Sequence, residues 1–247
     1  MNSKEKGNRS IDVKLNKIDY AVLLGKGIFG VAPYVGPLIA EMIGTFIPNQ
    51  RIDRLIDFVK MLEKKVDKLD EEYIKVQFKN PRFVDIVEDA FWQAARSLTE
   101  ERKEYIASFI KNSLSEKNVE YIQKKNLLAI LGELNDIEIL ILKSKTFHVG
   151  EKGEEEFWKR HENVLIPPPA YIDTPIKNED LNKSIFLKSY KNHLMRIGLL
   201  EIRFKKLKKG EIPEFDENTG MIKAQGYSVT SLGYLLLKSI DLVSEGK

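Results

Sequence analysis

The spacing of apolar residues divides the chain into stretches of different character. Ile52, Leu55, Val59, Leu62, Val66, Leu69, Tyr73 and Val76 recur at alternating intervals of three and four, and charged residues fill the positions between them. That is the period of an α-helix with one apolar stripe, running as a single seam to residue 76. Such a seam serves either as the spine of a bundle within the chain or as a contact with a second copy. Asn80-Pro81 then supplies an N-cap followed by proline at the first helical position, where its missing N–H costs nothing. The helix from there places Phe83, Ile86, Val87, Ala90, Phe91 and Ala94 on one side. Ser97-Leu98-Thr99-Glu100 reads as a capping box for the next helix, with Thr99 a competing N-cap. Tyr105, Ile106, Phe109, Ile110 and Leu114 form that helix's apolar face. Ser115 reads as the cap of a further helix running through Val119 and Ile122 toward Leu131. Asn135-Asp136 caps the helix that carries Ile137 and Ile139 to Leu142. No strand-like alternation occurs before residue 146, so the first 145 residues should be nearly all α.

The pattern changes after residue 146. A charged helix is expected over 154–163, followed by Pro167-Pro168-Pro169, a run that excludes helix and favours an extended connector over 164–177. A PxxP-type ligand is the alternative for that run. Residues 180–197 are amphipathic, with Leu181, Ile185, Leu187, Tyr190, Leu194 and Ile197 apolar, and end at Gly198, a natural left-handed position. Leu199–Phe204 and Ala224–Val229 are strand candidates on either side of a Lys-, Gly- and Pro-rich excursion. Tyr227 and Val229 can pair with Leu200 and Ile202 across the hairpin. Thr230 caps a last apolar helix. The expected fold is therefore mainly α, with an N-terminal helical bundle followed by an α+β domain containing a small β-hairpin. Its parts are a polar leader (1–19), a helical domain (20–126) and a C-terminal domain (127–247).

Residues 20–50 carry only two charges, Lys26 and Glu41, in a chain in which 31% of residues are charged. Glycines and prolines interrupt the segment too often for a straight membrane span, and both charges would be costly at a bilayer centre. Two readings stay open. One is a helical hairpin around Pro33 and Pro37 buried in the fold. The other is an element that meets a membrane surface or a partner through Ile28, Phe29, Leu38, Ile39, Met42, Ile43 and Phe46. The polar, positively charged lead before it reads as a flexible leader, because no clean cleavage site follows.

Candidate chemistry is sparse. The 247 residues include no cysteine, which rules out disulfides, thiolate zinc sites and cysteine nucleophiles and fits a reducing compartment. His148, His161 and His193 lie in separate segments without HxxxH or HExxH spacing, and His161 in KRHEN reads as solvated. Gly25, Gly27 and Gly30 match G-x-G-x-x-G, but no βαβ pattern surrounds them and Pro33 stands where the helix should start, so dinucleotide binding is rejected. There is no nucleophile elbow and no P-loop. The expectation is a protein that is not an enzyme, with no catalytic residues, cofactor or metal. A net charge of +3 is only mildly basic. Locally, however, Arg203, Lys205, Lys206, Lys208 and Lys209 crowd the segment EIRFKKLKK, and Lys188 and Lys191 share a helix face. A basic hairpin beside a basic helix suits phosphate contacts; the alternatives are a solvated surface or a contact for an acidic protein.

The phrases HLMRIGLLEI and YSVTSLGYLLLKSI resemble winged-helix domains, in which a helix ends in Leu-Gly-Leu, a β-wing follows and a Thr-x-x-Gly turn opens the closing helix. More broadly, GPLIAEMIGTFIPNQRIDRLIDFVKML, LLAILGELNDIEILIL and LMRIGLLEI…YSVTSLGYLLL resemble the Abi-alpha (abortive infection alpha) family of bacterial proteins over about three quarters of the chain. That resemblance implies a role in phage defence without specifying a mechanism. It suits a cytoplasmic protein, peripheral to the inner membrane in one version, with a sequestered apolar hairpin and a winged-helix-like sensing or docking module. The partner would be another protein or a second copy, with nucleic acid or a membrane surface as further options. The competing expectation is a winged-helix DNA-binding transcriptional regulator with a helical dimerisation domain.

Overall fold

Five helices supply most of the side chains that leave water. In the computed structural model, which describes residues 49–115, 119–148, 150–167, 177–217 and 220–243, the chain is mainly α with one two-stranded antiparallel sheet. The apolar segment 20–48, with its candidate contact residues from Ile28 to Phe46, lies outside the described residues, as do Pro168 and Pro169 of the connector.

Helix α1 (Asn49–Val66) buries Leu55, Phe58, Val59, Leu62 and Val66 against α3 (Pro81–Arg96) and α4 (Glu100–Ser115). The seam expected to run unbroken to Val76 stops at Val66. The Leu69 N–H donates to the Val66 carbonyl, and extended Asp70 caps a new helix, α2 (Glu71–Phe78), accepting from the Tyr73 N–H at 2.8 Å. An Asp side chain competes for backbone donors, so it starts a helix more readily than it continues one. The new helix turns a different face inward: Ile74 is buried, whereas Val76, assigned to the seam, is 58% exposed. Tyr73 Oη donates to the Leu114 carbonyl at 2.6 Å, tying α2 to α4.

Asn80 and Pro81 open α3 as expected, with Asn80 Oδ1 accepting from the Arg82 N–H at 3.0 Å, and all six predicted core residues of this helix are buried. At the start of α4, Thr99 wins over Ser97. Thr99 Oγ1 accepts from the Arg102 N–H, while Ser97 Oγ turns back to donate to the Gln93 carbonyl. Ser115 ends α4 and does not cap its successor. Helix α5 (Tyr121–Glu133) begins after Glu120, whose N–H donates to the Gln123 side chain at 3.0 Å. It packs on α3 and runs through residues 126 and 127, where the two expected domains were to meet.

Helix α6 (Asp136–Ser144) starts from a reciprocal cap in which Asn135 Oδ1 accepts from the Glu138 N–H and Glu138 Oε2 accepts from the Asn135 N–H. It carries α7 (Glu154–Leu165) and α8 (Asn178–Arg196). Gly198 has φ of +77° and lets the chain turn out of α8 into β1 (Leu200–Phe204). Strand β2 (Ala224–Val229) pairs with it in the expected register, Leu200 with Val229 and Ile202 with Tyr227. Thr230 clips the two ends of this unit together: its Oγ1 accepts from the Gly233 N–H at the start of α9 (Ser231–Ser239) and donates to the Gly198 carbonyl at 2.6 Å. A Cβ at Gly233 would lie 2.5 Å from the Leu199 carbonyl oxygen, so only glycine allows this approach. Helix α9 returns to α4, and the buried apolar residues from Leu55 to Ile240 form one cluster.

Candidate functional site

The hairpin leaves the core almost at once. Leu200 and Val229 at its base are buried, and the rest of β1 is exposed. A two-stranded ribbon has little to cover it, so the β1 side chains beyond Leu200 stand in water, while Tyr227 of β2 is half-buried against the core. The excursion between the strands folds back on itself: Phe215 bridges Ile222, the Asp216 N–H donates to the Met221 carbonyl, and the Lys223 N–H donates to the Glu214 carbonyl. Phe204, Leu207, Pro213 and Ile222 line a cavity of about 440 Å³ at its base. Ile212 and Phe215 project at 81% and 55% exposure.

The basic run on this excursion is only partly free. Lys205 pairs with Glu211 at 2.5 Å, and Glu211 also accepts from the Lys208 N–H; these contacts hold the Glu211 carboxyl below its ordinary range. Lys223 pairs with Glu214. The side chains of Lys206, Lys208 and Lys209 are exposed and form no ion pair among the described residues. Acidic residues inserted among the lysines thus reduce the field that the sequence EIRFKKLKK suggests.

Helix α8 carries a second set of exposed apolar side chains. Only Leu187 and Leu194 are buried on it, while Leu181, Ile185 and Phe186 are exposed, Phe186 stacking on Tyr190 at 6.1 Å between centroids. The helix is fixed by its polar side. His193 Nδ1 meets the buried Glu138 carboxylate at 2.6 Å, and Lys183 Nζ donates to the Asn163 carbonyl at the end of α7. Glu138 is therefore satisfied on both oxygens, by His193 and by the Asn135 N–H. No sequence spacing pointed to this pair, because its members lie 55 residues apart. His161, expected to be solvated, is half-buried against the Phe157 ring, and burial followed by the nearby Arg160 charge lowers its pKa.

Of the predicted phosphate-contact residues, Lys191 and Arg203 each stand against β2, Lys191 at Tyr227 and Arg203 at Gly226. Lys191 on α8 holds its Nζ 5.8 Å from the Tyr227 ring centroid. Arg203 lies opposite Gly226 on β2, and its Nη2 is 3.7 Å from where a Gly226 Cβ would sit. Lys145, half-buried at the C-terminal end of α6, has its pKa lowered by burial first and then by the charges of Lys191 and Arg203. Lys188 is exposed one turn before Lys191, and Lys206, Lys208 and Lys209 lie further out along the excursion. Lys145 was missed because it follows the apolar run ILIL and reads as an ordinary helix-terminal lysine. The apolar residues of the excursion were legible as Ile, Phe and Leu inside a polar loop, a composition that no turn requires.

Among the described residues no group of three or more His, Asp or Glu side chains is arranged to hold a metal ion, and no helix is long and apolar enough to cross a membrane. No family model matches the chain, and neither a curated protein nor a solved structure is significantly similar to it.

Proposed function

We propose that this chain is a non-enzymatic docking protein that binds a protein partner through α8 and the hairpin excursion, as a component of bacterial phage defence. The observation that carries the docking reading is the placement of exposed large apolar side chains, with Ile185 and Phe186 on α8 and Ile212 and Phe215 on the excursion. Apolar groups gathered on a projecting element contribute little to the fold and favour contact with another molecule. Lys206, Lys208 and Lys209 beside them favour a partner surface that is apolar at its centre and acidic at its rim. The order helix, hairpin, helix, clipped by Gly198, Thr230 and Gly233, supports a winged-helix-like module as the carrier. The defence role rests on the resemblance to the Abi-alpha family.

Plaque yield on cells carrying the native chain tests the whole reading. The native protein should lower the yield, and a Phe186→Ser/Phe215→Ser variant with an unchanged melt should lose the protection. Full protection by that folded variant would remove the docking surface from the mechanism, and no protection by the native chain would remove the defence role.

A second reading, a DNA-binding regulator, is favoured by Lys188 and Lys191 one turn apart on α8, which packs on β1, the strand that carries Arg203. Its signature is retention on duplex DNA that falls steeply with salt, by about one unit of log–log slope for each phosphate contact. Absence of retention at low salt would exclude it.

A further inference from the structure

The hairpin sorts its side chains by chemistry onto two faces. Leu200, Ile202 and Phe204 of β1 share one face with Tyr227 and Val229 of β2, while Glu201, Arg203 and Ser228 share the other. Strand β1 is the open edge of this sheet. Among the described residues its one strand neighbour is β2, and every β1 residue beyond Leu200 is exposed, whereas Gly226, Tyr227 and Ser228 of β2 are half-buried. The Leu199 carbonyl accepts from the Thr230 N–H at 3.1 Å, so it faces the β2 side. Backbone groups of successive strand residues alternate in direction, which aims those of Glu201 and Arg203 at β2 and those of Ile202 at the open side. An edge with outward backbone groups and two exposed apolar residues, Ile202 at 41% and Phe204 at 47%, is a template for another strand.

We infer that β1 pairs antiparallel with β1 of a second copy about a two-fold axis at Ile202, joining two hairpins into one four-stranded sheet. The order of charges along the strand selects this partner. In that register Ile202 stands opposite its own copy, and Glu201 of each chain stands opposite Arg203 of the other. Glu201-Ile202-Arg203 is therefore complementary to itself when it runs antiparallel, whereas a parallel copy would set like charges against each other. Because the Ile202 backbone groups face outward, the two copies of Ile202 exchange both N–H···O bonds. The flanking Glu–Arg pairs then fall at the closer, non-hydrogen-bonded positions, where side chains meet. Both charges are available for this: Arg203 forms no ion pair with a described residue, and the Ser228 hydroxyl engages one oxygen of Glu201 at 3.2 Å. On the apolar face, Ile202 covers its copy and Phe204 stands opposite Leu200 of the other chain. The dimer rests on the β1 edge and stands whether or not the docking reading holds.

Sedimentation equilibrium of the full chain tests the assignment, because each charge variant has its own expected outcome. The native chain should pass from monomer to dimer as its concentration rises. Glu201→Arg sets arginine against arginine and Arg203→Glu sets glutamate against glutamate, so each alone should weaken the dimer about tenfold or more. An equimolar mixture of the two variants should dimerise again, since every pair across the edge is then opposite in charge. The double variant Glu201→Arg/Arg203→Glu should self-associate as the native chain does. Both positions are exposed, so melts close to the native one are expected; should a single variant melt low, the mixture and the double variant still carry the test. Hydrogen exchange gives a backbone readout. Protection of the Ile202 amide should rise with protein concentration, while the Glu201 and Arg203 amides, which face β2, should not change. A native chain that stays monomeric at its highest soluble concentration overturns the assignment. So does a dimer that survives either single substitution, which would place the association elsewhere, or a mixture of the two variants that stays monomeric.

Discussion

Helices α1 to α5 and the stretch from residue 164 to 234 contain apolar side chains of similar kinds and treat them differently. Before residue 164 the large apolar side chains with high exposure are only Val76, Leu98 and Ile122, among the described residues. All the others lie between Val164 and Tyr234. The cause is geometric. Helix α1 has two helical neighbours, and α3 has four, so an apolar stripe finds a partner along most of its length. Helix α8 is covered on one side by α6 and at its end by β1, and β1 beyond Leu200 is exposed. Apolar residues in the first region are explained by folding. Those in the second are not, and their placement on α8 and the excursion is the reason to look for a partner there.

The comparison breaks most readily at the centre of the first region. Phe91 is fully buried and meets Phe58 edge-on at 5.1 Å. Phe91→Ala should cost about 3–5 kcal/mol in a chemical denaturation curve, by lost transfer energy and the cavity left behind. A loss below about 1 kcal/mol would mean that the helical region is no better packed than the hairpin. Arg102 comes next. Its Nη2 donates to the carbonyls of Leu131 and Leu134 at the C-terminal end of α5, where a cation also offsets the helix dipole. Arg102→Met strands those acceptors and should cost about 2–4 kcal/mol. A variant as stable as the native chain would show that α5 is held by its apolar contacts alone.

The same contrast governs what could be read from the sequence. Helix periods, the Asn80 and Asn135 caps, Gly198, the strand register and Thr230 are local signals, each decided within four or five residues, and each appears in the structure. Errors arose where two local signals competed. Asp70 interrupts a seam whose apolar spacing continues past it, and Ser115 and Glu120 both precede a helical run. The candidate site was legible in part, through Lys188, Lys191 and the basic run that begins at Arg203. Its remaining parts depend on contacts between distant segments. Glu138 meets His193 across 55 residues, and α8 packs on both α6 and β1. Neighbouring acidic residues such as Glu211 and Glu214 were visible in the sequence, but which lysines they neutralise depends on how the excursion folds back.

Within α8 the two regimes meet at adjacent positions. Leu187 is buried and Phe186 is 56% exposed. Leu187→Ala should cost about 2–3 kcal/mol, whereas Phe186→Ala should stay within about 0.5 kcal/mol. Equal losses in a pair of melts would place Phe186 in the core and weaken the docking surface. A smaller, pH-dependent effect is expected at Asp241, which joins the end of α9 to α4 through Asn112 and Lys111. Burial alone would raise its pKa, but hydrogen bonds from Asn112 and Lys111 and the Lys111 charge outweigh burial and lower it. A carboxyl lowered on folding stabilises the native state above its unfolded pKa and loses that contribution as the pH falls through its folded value. Asp241→Asn should therefore melt below the native chain at neutral pH, and the gap should close as the pH falls through the lowered folded-state value. A constant gap across that range would assign the effect to packing instead of charge.

The smallest expected effect is at the end of the hairpin excursion, and it carries the comparison furthest. Ile212 and Phe215 are large apolar side chains that the fold leaves in water, so Ile212→Ser and Phe215→Ser should each change stability by less than about 0.5 kcal/mol. Hydrogen exchange of the β1 amides gives the local control, because those hydrogen bonds would lose protection if either side chain supported the ribbon. A loss above about 1 kcal/mol, or faster exchange across Leu200–Phe204, would make the excursion a small core of its own and return its apolar residues to the account that serves α1 to α5. With stability and exchange both unchanged, a loss of phage protection in the same variants has only one physical route. The side chains must then act on a surface outside this chain, since inside it they hold nothing together.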